Sequence, residues 1–119
     1  MNKNQLILSD KTSYRLAQIK GKTGLDTNII CRLAICISLN DSTIPNFNLY
    51  NTNGRELKKT EVFGEFEKII NALVKQKCYI DKFDCDKDFN NFLLGHLNRG
   101  IDIISNRVKK ISDIKFLFE

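Results

Sequence analysis

Polar and apolar positions alternate at the start of the chain, in Asn4-Gln5-Leu6-Ile7-Leu8-Ser9, with Leu6 and Leu8 on one face and Gln5, Ile7 and Ser9 on the other. This predicts one short strand. Such a strand cannot satisfy its own backbone groups, and no strongly β-rich run follows closely, so pairing with another copy of the chain is expected. Ser9 or Asp10 then offers an N-cap. From Lys11 to Gly21, Tyr14, Leu16, Ala17 and Ile19 are set among polar residues, a first helix that closes near Gly21 or Gly24. Asp26 or Thr27 opens a second helix, in which Ile29, Ile30, Leu33, Ala34 and Ile37 recur at helical spacing until Asn40 and Asp41. Ile35 and Cys36 make it apolar almost all round, and in a chain this short part of such a surface is expected to belong to a subunit interface.

Residues 41–55 turn to Asn, Ser, Thr, Pro and Gly and predict a long loop. Leu57 to Phe63 fits a short strand or the first turn of a helix. Phe66, Ile69, Ile70, Leu73 and Val74 then define an amphipathic helix with Lys68 and Lys75 outward. The acidic run Asp81 to Asp88 leads into a longer helix whose face is Phe89, Phe92, Leu93, His96, Leu97, Ile101 and Ile104. The tail from Ile111 to Phe118 keeps apolar spacing and reads as a last short turn. The expected class is therefore mainly α.

Composition narrows the picture. The 119 residues make one domain, and 42% hydrophobic residues are enough for a core. Six glycines and the single Pro45 argue against a turn-rich β sandwich. No signal peptide is visible, and Ile29 to Leu39 falls well short of the roughly 20 residues a membrane span requires, so a cytoplasmic protein without membrane contact is expected. The cysteines, Cys31, Cys36, Cys78 and Cys85, lack paired C-x2-C spacing and the only histidine is His96, which favours reduced core thiols over a metal site.

Asp84-x-Asp86-x-Asp88-x-Asn90 resembles the opening of a calcium loop, yet Phe89 stands where such a loop needs glycine and Gly95 where it needs glutamate. The run is better read as a helix cap. His96 falls on an apolar face with no triad partner in the pattern, and phosphate-loop, dinucleotide and metalloprotease motifs are absent. No catalytic residue and no cofactor are expected.

Charge is more informative. The formal net charge is +5, and residues 1–40 hold Lys3, Lys11, Arg15, Lys20, Lys22 and Arg32 against only Asp10 and Asp26. This concentration of positive charge suits an anionic partner, although solvation of the first helix alone would also account for it.

Strand, helix, glycine turn and buried helix follow in the order of a ribbon-helix-helix unit, whose paired strands enter a major groove. Here the outward strand residues would be Gln5, Ile7 and Ser9, and Ile7 is a poor reader of bases. The wording is more specific. Thr23-Gly24-Leu25, then Cys31-Arg32-x-Ala34-x-Cys36-x-Ser38-Leu39, later Gln76-x-Cys78 and Leu94-x-His96-x-x-Arg99-Gly100-Ile101, closely resemble the DndE family of bacterial DNA phosphorothioation proteins. The likeness runs from about Leu6 to Ile104.

That resemblance implies a single domain with a ribbon-helix-helix-like segment over 1–40, a loop over 41–55 and a helical part over 56–119. It also implies a non-enzymatic accessory subunit of a sulfur-modification system, a homotetramer that binds double-stranded DNA, with a preference for nicked duplex, beside larger modification proteins. Lys20 and Lys22 fall where the family has basic residues before the Thr-Gly turn and are the first choices for phosphate contacts. Lys11 and Arg15 follow on charge and expected exposure, and Lys3 on charge. Arg32 is expected to make an interface or capping contact, and Gly100 to let helices approach closely. Two other readings stay open: an assembly adaptor with little DNA contact, and a ribbon-helix-helix repressor.

Overall fold

The computed structural model describes residues 4–117. Strand β1 (Gln5–Ile7) is followed by α1 (Asp10–Thr23), α2 (Thr27–Asn40), β2 (Glu56–Lys58), α3 (Lys59–Phe63), α4 (Glu67–Ile80) and α5 (Phe89–Arg107). Single 3-10 turns lie at Phe47–Leu49, Gly64–Phe66 and Ile111–Phe116. The architecture is mainly α, and among the described residues no helix is long and apolar enough to cross a membrane.

The first two helices follow their sequence signals closely. Ser9 caps α1, its Oγ accepting from the Thr12 amide at 3.0 Å, and Gly24 ends it in the left-handed region at φ 73° with its amide on the Lys20 carbonyl. Thr12, Leu16 and Ile19 form its buried stripe, while α2 buries Ile30, Cys31, Ala34, Ile35, Ile37 and Ser38. The principal packing is α2 on α5. Gly100 makes it possible, because a Cβ there would run into the backbone of Ala34.

The strand differs from expectation. β1 pairs antiparallel with β2 of the same chain, in the register Gln5↔Lys58, Leu6↔Leu57 and Ile7↔Glu56. The Lys59 amide donates to Asn4 O at 2.8 Å and the Leu8 amide to Arg55 O at 3.0 Å, which extends the ladder at both ends. Leu6, Leu8 and Leu57 are buried together in the core. The expected partner, a second copy of the chain, is thus replaced along one edge of this strand by β2 of the same chain. Leu57 to Phe63 is both of the things its sequence allowed, a strand and then a helical turn.

Three further features depart from the sequence pattern. In α4 only Ile70, Val74 and Cys78 are buried, whereas Phe66, Ile69 and Leu73 are 42%, 61% and 45% exposed. The 41–55 segment is anchored rather than loose: Phe47 packs edge-on to Phe83 with centroids 5.7 Å apart and rests on Gly95. The carboxylate that caps in the acidic run is Asp84, which accepts from the Asp86 and Lys87 amides, while Asp88 at the N-cap of α5 makes no side-chain cap bond. Cys31, Cys78 and Cys85 are buried free thiols, and Cys36 is exposed. Among the described residues no side-chain group is arranged to hold a metal ion.

Candidate nucleic-acid interface

Helix α1 sorts its cations by angle. At 3.6 residues per turn, Lys22 falls within about 20° of Lys11 and of Arg15, while Lys20 lies about 160° away, beyond the buried stripe. Adjacent in sequence, Lys20 and Lys22 thus flank α1 on opposite sides. Both are exposed and occupy its last turn, where ammonium groups also offset the negative end of the helix dipole. Lys11, Tyr14, Arg15 and Gln18 border one shallow depression with Ser105 of α5. Arg15 is committed elsewhere, since its Nη1 meets Asp102 Oδ1 at 2.9 Å. Lys3 lies outside the described residues.

The neighbours of α1 show which other charges join it. The Ser9 amide donates to Asn98 Oδ1 at 3.1 Å, Thr12 Oγ1 to Asp102 at 3.4 Å, and Arg15 pairs with the same Asp102. Contacts that climb both helices together mean that α1 and α5 run side by side in one direction. The last turn of α1 therefore comes to the same end of the molecule as the end of α5. That end also carries Arg107, Lys109, Lys110 and Lys115, all exposed. Regional charge counting missed this second group because the two segments lie some ninety residues apart. Among the described residues the ion pairs are Arg15–Asp102 and Lys77–Asp81, so the ammonium groups of Lys20, Lys22, Lys109 and Lys110 form none, although Asp113 accepts from the Lys109 and Lys110 amides and partly offsets the charge there. A cluster of unpaired ammonium groups is suited to polyanion backbones, where each contact releases condensed counterions.

The remaining family-like residues hold the scaffold. Arg32 caps α3: its Nε donates to Val62 O at 2.7 Å and its guanidinium lies 5.3 Å from the Phe66 ring centre. Arg99 closes the end of α2, donating from Nε to Ser38 Oγ and from Nη2 to Ser38 O, each at 2.8 Å, and from Nη1 to Thr43 O at 3.0 Å. The Ser38 hydroxyl, which accepts from Arg99, also shares a hydrogen bond of 2.7 Å with His96 Nδ1, while Nε2 is buried with no hydrogen-bond partner among the described residues. His96 is fully buried, and burial, with Arg99 and Lys77 adding to it against Asp41, lowers its pKa to about 4. It is a packing residue held neutral.

A second surface is apolar. Cys36 and Leu39 of α2 and Leu73 and Ile80 of α4 border one depression of about 380 Å³, and Ile29 of α2, Ile69 of α4 and Phe66 just before α4 are also exposed. Ile29 and Ile69 are among the large apolar side chains left open to solvent. Helical periodicity places Ile69 and Leu73 on the apolar face of α4 without showing what covers that face.

Comparisons with known proteins show the family and the fold. The family model described as DNA sulphur modification protein DndE matches residues 5–112. The chain is similar to the crystal structure of DndE from Escherichia coli B7A, a protein described as involved in DNA phosphorothioation modification. The TM-score is 0.70 at 25% identity, over 91% of this chain and all of that one. No curated protein matches the chain.

Proposed function

This chain belongs to the DndE family of DNA sulphur modification proteins, and from that premise we propose that it is the subunit that holds duplex DNA for the modification machinery. It does so through backbone phosphates and carries no catalysis of its own. The observation that supports this reading is the parallel course of α1 and α5, which brings the last turn of α1, with Lys22 on the side of Arg15 and Lys20 on the far side, to the same end of the molecule as Arg107, Lys109 and Lys110. Contacts of this kind fix position on the duplex without reading sequence, and a strand break is recognised by the added freedom of the backbone around it. Lys11 supports the same surface from the other end of α1, and Arg15 orders that helix against α5 through Asp102.

The test is binding by fluorescence anisotropy to intact and nicked duplexes at two salt concentrations. Affinity should fall steeply with salt, and Lys20→Glu with Lys22→Glu should reduce the salt slope by about 2, one unit for each lost phosphate contact. An unchanged slope removes these lysines from the interface. Absence of binding to either duplex favours the adaptor reading instead.

The exposed apolar strip of α2 and α4 supports self-association, and we propose that it joins copies of the chain into a homotetramer. The proposed assembly multiplies the basic end and offers the larger modification proteins a repeated surface. Leu73→Glu should lower the mass measured by sedimentation while leaving the helical circular dichroism intact, since this side chain adds little to the core of one copy. A repressor reading is less well supported, because β1 pairs along one edge with β2 of the same chain and its outward Gln5 is hydrogen-bonded to Glu56.

A further inference from the structure

A pocket of about 380 Å³ opens where the start of α3, the outer side of α4 and the first turn of α5 meet, at the opposite end of α5 from the basic cluster described above. Lys59, Lys75 and Lys87 enter it from three separate segments, against a single carboxylate, Asp86. None of the three belongs to an ion pair among the described residues. Lys59 is held 4.9 Å from the centre of the Phe89 ring, where loss of water lowers its pKa and the more distant Glu67 only partly restores it. An ammonium held so has much to gain from an anion brought beside it.

Two uncommitted hydrogen-bonding groups face the same space. The amide of Asn71 borders the pocket, and its Oδ1 is buried without a partner. With nothing in the chain fixing its orientation, this amide is free to turn its N–H₂ toward an incoming oxygen. The first turn of α5, at Phe89 and Asn90, also lines the pocket, and the N-cap Asp88 offers it no side-chain acceptor. Its free amides and the positive end of the helix dipole add to the field of the lysines.

We propose that this pocket is a site for a phosphate monoester, separate from the α1 lysines. The three ammonium groups outnumber the carboxylates near them, Asp86 in the lining and Glu67 acting on Lys59, and the donors come from several directions, as a tetrahedral anion requires. The Phe89 ring supplies an apolar wall for whatever carries the phosphate. The same chemistry is presented by the 5′-phosphate of a DNA strand end and by a free nucleotide.

The test titrates the full-length isotope-labelled protein with inorganic phosphate at constant ionic strength and follows the amides of Phe89, Asn90 and Asn71 by NMR. Saturable shifts are expected, weakened about tenfold or more in the Lys75→Gln, Lys87→Gln double variant, whose exposed side chains leave the fold intact. The same shifts should persist in the Lys20→Glu, Lys22→Glu protein, which keeps this site distinct from the duplex interface. Two arms identify the source: deoxyadenosine 5′-monophosphate against deoxyadenosine, and nicked duplexes with a 5′-phosphate against a 5′-hydroxyl. A preference for the phosphorylated nick that the double variant abolishes assigns the strand end. A preference for the mononucleotide with equal binding of the two nicks assigns the free nucleotide. Shifts reproduced by chloride, or undiminished in the double variant, overturn the proposal, as does the absence of preference in both arms.

Discussion

The same substitution should have opposite effects at two glycines, both inside helices. At Gly100 a Cβ would overlap the carbonyl oxygen, carbonyl carbon and Cα of Ala34, all backbone atoms that no rotamer change can move aside. Gly100→Ala must therefore push α2 and α5 apart along the main seam of the core. Overpacking of this kind costs about 3–4 kcal/mol at the severe end, and the gain of about 1 kcal/mol from replacing a helical glycine leaves a net loss near 2–3 kcal/mol. At Gly21, in the exposed last turns of α1, nothing lies within 4 Å of the added atom. Gly21→Ala should keep only the helical gain, about 0.5–1 kcal/mol. For a chain of this size these changes correspond to melting points roughly 10 °C lower and a few degrees higher than the parent. Thermal unfolding followed by circular dichroism, with calorimetry to check two-state behaviour, measures both. Adding Ala34→Gly to Gly100→Ala should not restore stability, because the collision is with backbone and not with the methyl group. A Gly100→Ala protein as stable as the parent, or one rescued by Ala34→Gly, would refute the close backbone approach.

Two further perturbations probe the scaffold. The pKa of His96 falls from 6.5 to about 4 on folding, so between those values the unfolded chain binds a proton that the folded chain refuses. Stability is complete above the upper value and should decline by about 3 kcal/mol as the pH drops toward the lower one. Denaturant titrations at about pH 7 and about pH 4.5 should show this slope in the parent and its loss in His96→Gln; parallel behaviour of the two proteins would count against a buried neutral imidazole. Lys82 has φ 64° in a Schellman end to α4, with its amide on Tyr79 O and the Phe83 amide on Cys78 O. Lys82→Gly should therefore stabilise the protein by about 0.5–1 kcal/mol in the same assay, and a loss of stability would contradict that backbone geometry.

Local signals were legible in the sequence where one residue settles one feature. Ser9 and Gly24 bound α1 because a hydroxyl acceptor and a left-handed turn have few substitutes. The family resemblance pointed to Gly100 as a site of close helix approach and to Arg32 as an interface or capping contact, of which the structure shows the cap on α3. The partner of β1 was not legible, since Glu56–Lys58 is three residues long and merges into α3. Periodicity found the apolar face of α4, with Ile69 and Leu73 on it, but could not say whether a neighbour covers it. The angular separation of Lys20 from Lys22 follows from helix geometry once α1 is granted, although adjacency in sequence suggests the reverse. The joining of the α1 end to Arg107, Lys109 and Lys110 depends on the parallel packing of α1 and α5. No local pattern carries that information, and the same holds for the clamp of Arg99 on residues some sixty positions away.

The closure of β1 onto β2 bears on how the protein comes into being. In intertwined dimers the strand of one copy completes the other, so folding is bimolecular and stability rises with concentration. Here Leu6, Leu8 and Leu57 are buried by one chain alone. Folding of this unit would then be a first-order event, and the association of copies proposed above would be the docking of finished bodies. Copies joined in that way would leave and rejoin without unfolding.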